Sequence, residues 1–181
     1  MKRTIFTIML SLVLTPGLAV AVLIEADLEI DSFTVLSAPA QAQVGEEFQI
    51  ILQKVITNNG VNGPVDAVLS LDATAPLGSS VSPTELTEAV EDLAVLEFRT
   101  VQEVFDIIIG GIGSQTFTFV NSISLDDSFL DAGWADPDPN NNSSTLNVSI
   151  VGIQSVPEPS VLVLFGLGLA GLGFTRRRMK V

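Results

Sequence analysis

The sequence predicts an all-β body, an antiparallel β-sandwich of about seven strands. Three observations lead there. Short segments rich in β-branched and aromatic residues recur along the middle of the chain, most of them alternating apolar with polar positions. Clusters of Gly, Asn, Asp and Pro separate them at short intervals. The positive mean hydropathy comes mainly from two apolar runs, at residues 5–23 and 161–174 of the 181, so the middle is far more polar than the average.

The elements can be justified in order. Lys2 and Arg3 precede an apolar stretch from Ile5 to Leu14, followed by Thr15-Pro16-Gly17 and then Ala19-Val20-Ala21. These are the charged, apolar and small-residue regions of a secretory signal peptide, in their required sequence. The positive start stays in the cytoplasm and the apolar run enters the translocon as a signal helix. Pro16 and Gly17 end that helix so that a signal peptidase reaches an extended site, and cleavage is expected after Ala21. The run is shorter than the roughly 20 residues a permanent span needs.

Six strands are expected within Asp27–Leu36, Phe48–Ile56, Val65–Leu71, Val101–Ile109, Thr116–Leu125 and Ser144–Val151. Alternation is clearest at Phe117/Phe119 and at Leu146/Val148/Ile150. Turns are expected at Val44-Gly45-Glu46, Asn58-Asn59-Gly60, Asn62-Gly63-Pro64, Gly110-Gly111 and Asp136-Pro137-Asp138-Pro139-Asn140. One segment reads two ways. Ser82-Pro83-Thr84-Glu85 has the form of a capping box with proline at the first helical position, and Leu86, Ala89, Val90 and Leu93 follow at helical spacing, so residues 83–94 taken alone read as a helix.

The chain then reaches Val156-Pro157-Glu158-Pro159-Ser160, an apolar run from Val161 to Phe174, and Arg176-Arg177-Arg178. The run has 14 residues, about 21 Å as a helix, which is short for a span. Its flanks favour a transmembrane helix nonetheless. Arg176, Arg177, Arg178 and Lys180 can snorkel to a headgroup layer and hold that side in the cytoplasm. Pro157 and Pro159 keep Glu158 out of helix and strand, because each fixes φ, lacks an N–H and pushes its predecessor toward an extended conformation. An extended strip at a membrane face is a shape that a peptidase can bind.

This tripartite ending resembles the PEP-CTERM sorting signal of Gram-negative bacteria. The resemblance implies recognition by an exosortase, a membrane-embedded cysteine peptidase, with processing near Pro157, Glu158 and Pro159 and with Arg176, Arg177 and Arg178 as the cytoplasmic anchor. A second resemblance covers most of the body. "VGEEFQIILQKVITNNG" (Val44 to Gly60) and "ADPDPNNNSSTLNVSIV" (Ala135 to Val151) are similar to the Ig-like repeats of bacterial surface proteins, including the CARDB type. It implies an Ig-like sandwich, and it places a turn and a strand at 85–98, favouring strand over helix. The expected organisation is a signal peptide at 1–21, an Ig-like β-sandwich at 22–155 and a PEP-CTERM signal at 156–181.

Composition excludes several functions. Between residues 22 and 155 there are 20 carboxylates against two cations, Lys54 and Arg99, a formal charge of −18. Such a surface repels nucleic acid, so no nucleic-acid partner is expected. With no His and no Cys, the common general base, thiol nucleophile and thiolate metal sets are missing. No catalytic residues, cofactor or metal site are assigned, and the chain is expected not to be an enzyme. Lys54 could form a Ser-Lys pair, but a lone lysine in a strand reads as a surface charge. Asp126, Asp127, Asp131, Asp136, Asp138 and Asn140 could place oxygens around calcium, the last three spaced as D-x-D-x-N like the opening of a calcium loop. Against this, the loop lacks the central glycine of an EF-hand, and Asn147 stands where its bidentate Glu would be.

The expectation is therefore a non-enzymatic protein of the cell surface or extracellular matrix, sorted by an exosortase after transient residence in the inner membrane and linked to exopolysaccharide or biofilm. The alternative is a surface-displayed module that binds carbohydrate or calcium.

Overall fold

Side chains that alternate between buried and exposed along each long strand assemble the body. The computed structural model describes residues 24–154 and 164–169. In chain order the elements are β1 (Ile24–Glu25), β2 (Leu28–Ser37), β3 (Gln41–Gln43), β4 (Glu47–Asn58), β5 (Val65–Thr74), β6 (Ser80–Ser82), β7 (Glu85–Leu93), β8 (Phe98–Ile108), β9 (Gly113–Leu125), α1 (Asp127–Asp131), β10 (Trp134–Ala135) and β11 (Ser143–Ile153). One sheet has the order β2-β4-β8-β6 and the other β3-β11-β9-β5-β7. Neighbours pair antiparallel except β3 with β11, and the short β1 and β10 form a separate parallel pair.

The two sheets pack face to face over one core. Ile50, Leu52 and Ile56 of β4 and Val101, Phe105 and Ile107 of β8 meet Leu69 and Leu71 of β5 and Phe117, Phe119 and Ile123 of β9, all buried. The rings of Phe105 and Phe119, from opposite sheets, lie 5.0 Å apart at an interplanar angle of 58°, within the range of favourable tilted aromatic pairs. All six strands expected from alternation are present, with ends that differ from the expected ones by up to three residues. Four strands, β1, β3, β6 and β10, are only two or three residues long, too short to carry a periodic signal.

The ambiguous segment is a strand, β7, paired with β5. Its helical look has a physical cause. Val90 faces Ala67 and Leu93 faces Val65, so three residues of β7 span two of β5, a bulge at which Asp92 takes a φ of 53°. The bulge resets the two-residue phase, and Val90 and Leu93 both point inward although they are an odd number apart.

Where the sheets close at one end, backbone approaches backbone. A Cβ on Gly152 would stand 1.9 Å from the Gly111 carbonyl oxygen and 2.8 Å from Ile109 Cγ2. The obstacle is main chain, which cannot rotate away. Gly152→Ala is expected to cost about 1–3 kcal/mol, the usual range for forced overpacking. Chemical denaturation checks this, and an unchanged midpoint would contradict the contact.

Of the C-terminal run, residues 164–169 are helical, with Leu164, Phe165, Leu167 and Leu169 all more than half exposed. Among the described residues no helix is long and apolar enough to cross a membrane. The signal helix and the remainder of the expected transmembrane helix lie outside the described residues.

Candidate functional site

The processing residues named from the sequence, Ala21, Pro157, Glu158 and Pro159, and the anchor residues Arg176, Arg177 and Arg178 also lie outside the described residues. What the structure places is the body in front of them. The last strand, β11, ends at Ile153, so the body leads almost directly into the tail.

β11 also fixes at which end of the sandwich the body finishes, here called the tail side. The segment that leads into β11 lies beside the start of the domain, where Ile30 N–H donates to the Asn141 carbonyl at 3.2 Å and Ala26 N–H to the carbonyl of Ala135 in β10 at 3.1 Å. Its last residue accepts from Val44 N–H at 2.9 Å, and Gly45 N–H donates to the Ile109 carbonyl at 2.8 Å. Eleven residues of strand, about 35 Å at the usual rise, separate the two ends. The tail-side end presents Val44, Leu77 and Ile112, of which Leu77 is fully exposed and Ile112 66% exposed. The far end carries α1 and the aspartate-rich loop before β11.

In that loop the carboxylates serve the backbone. Asp126 caps α1, its Oδ1 accepting from Ser128 N–H at 2.9 Å and from Ser128 Oγ at 2.6 Å. The Ser128 hydroxyl, and then its backbone N–H, hold the Asp126 carboxyl below its ordinary range. Asp136 Oδ2 accepts from Leu28 N–H at 3.0 Å and from Asn142 Nδ2 at 2.9 Å, and its Oδ1 accepts from Asp138 N–H at 3.0 Å. Asp138 Oδ1 accepts from Asn140 N–H at 3.3 Å and from Asn140 Nδ2 at 3.1 Å. Asp136 thereby ties the first long strand to the turn that leads into the last. The structure uses Asp126, Asp136 and Asp138 as caps and turn braces, and among the described residues no group of three or more His, Cys, Asp or Glu converges as a metal site.

Lys54 corrects the sequence reading. It is 1% exposed rather than a surface charge. Its Nζ donates to Glu103 Oε1 at 2.6 Å and to Asn121 Oδ1 at 3.3 Å. Lys54 lies on β4 and Glu103 on its sheet neighbour β8, where Leu52 is the residue paired with Glu103; Asn121 reaches across from β9. Each sits in the core phase of its strand, Lys54 between Leu52 and Ile56, Glu103 between Val101 and Phe105, Asn121 between Phe119 and Ile123, all buried. The signal was present in the sequence: three polar residues at inward positions of three alternating strands. The other body cation, Arg99, pairs with Glu97 at 2.8 Å; the Ala94 backbone N–H first, and then this contact, hold the Glu97 carboxyl below its ordinary range. With Lys54 inside, Arg99 is the sole cation that the body, residues 24–154, offers to solvent.

These features define an Ig-like β-sandwich whose last strand runs into a C-terminal signal. The chain carries a PEP-CTERM protein-sorting motif, matched over residues 155–178. That span contains Pro157, Glu158, Pro159 and the three arginines named from the sequence. No curated protein matches the chain by sequence. Among solved structures the chain is similar to the CARDB domain of a Pyrococcus furiosus protein in complex with di-metal ions, at 15% identity over 70% of this chain and 89% of that one, TM-score 0.45. It is similar to a chain of the complex of zinc 2-glycoprotein and prolactin-inducible protein from human seminal plasma, at 10% identity over 68% and 96%, TM-score 0.45. A human PapD-like domain is similar at 12% identity over 86% and 100%, TM-score 0.43.

Proposed function

We propose that this is an exported, non-enzymatic Ig-like protein, handed to an exosortase from the inner membrane and acting at the cell surface or in the extracellular matrix, in association with exopolysaccharide. The observation that carries the reading is the sorting motif at residues 155–178. Two features of the body support it. The end at which β11 finishes exposes apolar Val44, Leu77 and Ile112, which would suit a membrane held close by the tail, while Asp126, Asp127, Asp131, Asp136 and Asp138 sit at the opposite end, where anionic headgroups would not repel them. The chain also contains no His and no Cys, and its one body lysine is committed to the core. The acidic exterior suits a hydrated matrix more than a nucleic-acid or lipid surface. The backbone bonds that occupy Asp126, Asp136 and Asp138 weigh against the calcium-binding alternative.

Replacing Pro157, Glu158 and Pro159 together by alanine tests the sorting step. The variant is expected to accumulate in the inner membrane with its tail attached, while the native chain leaves the membrane without it. A variant processed and released like the native chain would contradict the proposal. Association with exopolysaccharide is checked by fractionating a host unable to make the polymer: the protein is expected to move from the cell-bound fraction to the medium.

A further inference from the structure

We propose that Lys54 and Asn121 form an intramolecular amide bond in the core, with Glu103 as the catalytic residue, so that the two sheets become covalently joined. The juxtaposition itself is the argument. A primary amine, a carboxamide and a carboxylate are in contact in the interior, at 1%, 0% and 8% exposure. The amine is 2.6 Å from the carboxylate and 3.3 Å from the carboxamide oxygen. A carbonyl bond of about 1.23 Å puts Asn121 Cγ no more than about 4.5 Å from Nζ, so a modest change of the lysine side-chain torsions brings it within bonding reach. Asn121 Nδ2 is buried with no hydrogen-bond partner among the described residues. An orphaned buried amide N–H2 is costly, and it is the group that this reaction expels.

The step balances without any oxidant or added reagent. The Lys54 ammonium gives a proton to Glu103 Oε1 along their short contact, and the freed Nζ lone pair attacks Asn121 Cγ. Glu103 relays a proton from the attacking nitrogen to Nδ2, the Cγ–Nδ2 bond breaks, and ammonia leaves. The carboxylic acid returns its proton to the departing ammonia, so that an ammonium ion and an amide replace an ammonium side chain and a carboxamide. Fixed positioning supplies the effective concentration that a lysine and an asparagine lack in water. Leu52, Ile56, Val101, Phe105, Phe119 and Ile123 keep the site dry, which protects the product from hydrolysis.

The bond would close a loop between positions 67 apart in sequence and link β4 of one sheet to β9 of the other. The chain has no cysteine, so this is a staple of a kind that the export pathway does not need to oxidise.

Peptide mass mapping of the mature protein purified from its host tests the proposal. Trypsin is expected not to cut after Lys54, and the segment ending at Arg99 is expected to emerge joined to the segment carrying Asn121, lighter by one ammonia, about 17 Da, than the two together. Lys54→Met and Asn121→Ala should each yield separate, full-mass peptides. Glu103→Gln, which preserves shape, should leave the bond unformed or slow its formation at least tenfold. Cleavage after Lys54 in the native protein, with both segments separate and at full mass, would overturn the bond. Joining of Glu103→Gln at the native rate would overturn the role of Glu103.

Discussion

Phe119→Ala is expected to lower the stability of the sandwich by about 3–5 kcal/mol, the usual cost of deleting a buried aromatic ring. Phe119 is fully buried, and its ring meets Phe105 across the interface between the sheets at 5.0 Å. Alanine there removes apolar area and leaves a cavity between two sheets that hydrogen-bonded neighbours hold at a fixed spacing, so little collapse can fill it. Domains of this size are stable by roughly 5–15 kcal/mol, and the change therefore consumes a large share. Urea titration should show a lower midpoint with an unchanged slope. One residue on, Val120 faces outward at 37% exposure, and Val120→Ala should change stability by about 0.5 kcal/mol or less. Equal losses at the two positions would contradict the assignment of faces on β9.

Glu103→Ala is expected to cost a similar amount, about 3–5 kcal/mol, the range for removing one partner of a buried ion pair. Folding must bury Lys54 before any amide can exist, and without Glu103 its ammonium would enter the core facing only the Asn121 oxygen at 3.3 Å. Reduced yield of folded protein and an earlier thermal transition are the readouts. Gln102→Ala is the control on the same strand, because the Gln102 side chain faces solvent and, among the described residues, bonds only to Gln53, at 3.3 Å. A loss at Glu103 no larger than that at Gln102 would contradict the buried pair.

The contrast between these residues shows what the sequence could tell. β9 and β11 were legible because Phe117/Phe119 and Leu146/Val148/Ile150 alternate in the open, and period two is the physical rule for a half-buried strand. β7 was harder, since a bulge at Asp92 gave Val90 and Leu93 the spacing of a helix face; resemblance of the surrounding motifs, rather than periodicity, favoured a strand. Lys54 misled for a different reason. A charged residue is ordinarily placed outside, yet the phase set by Ile50, Leu52 and Ile56 already pointed it inward, and only the pairing of β4 with β8 and the packing of β9 reveal its partners. In the aspartate loop, residue type alone suggested ligands, whereas the hydrogen bonds of Asp136 and Asp138 assign them to turns.

The tail was the most readable feature because its information is in order and composition: a proline-flanked glutamate, an apolar run, then arginines. The body gives that address a cargo whose apolar tips lie at the end where β11 finishes and whose aspartate loop lies at the end where β11 begins.

The mass of the mature protein isolated from its native host tests the central claim most directly. The expected chain begins at Val22 and lacks the apolar run and the arginine cluster, residues 161–181. A mature protein that still contains Val161 to Val181 would contradict sorting by an exosortase and leave a membrane-anchored sandwich in its place.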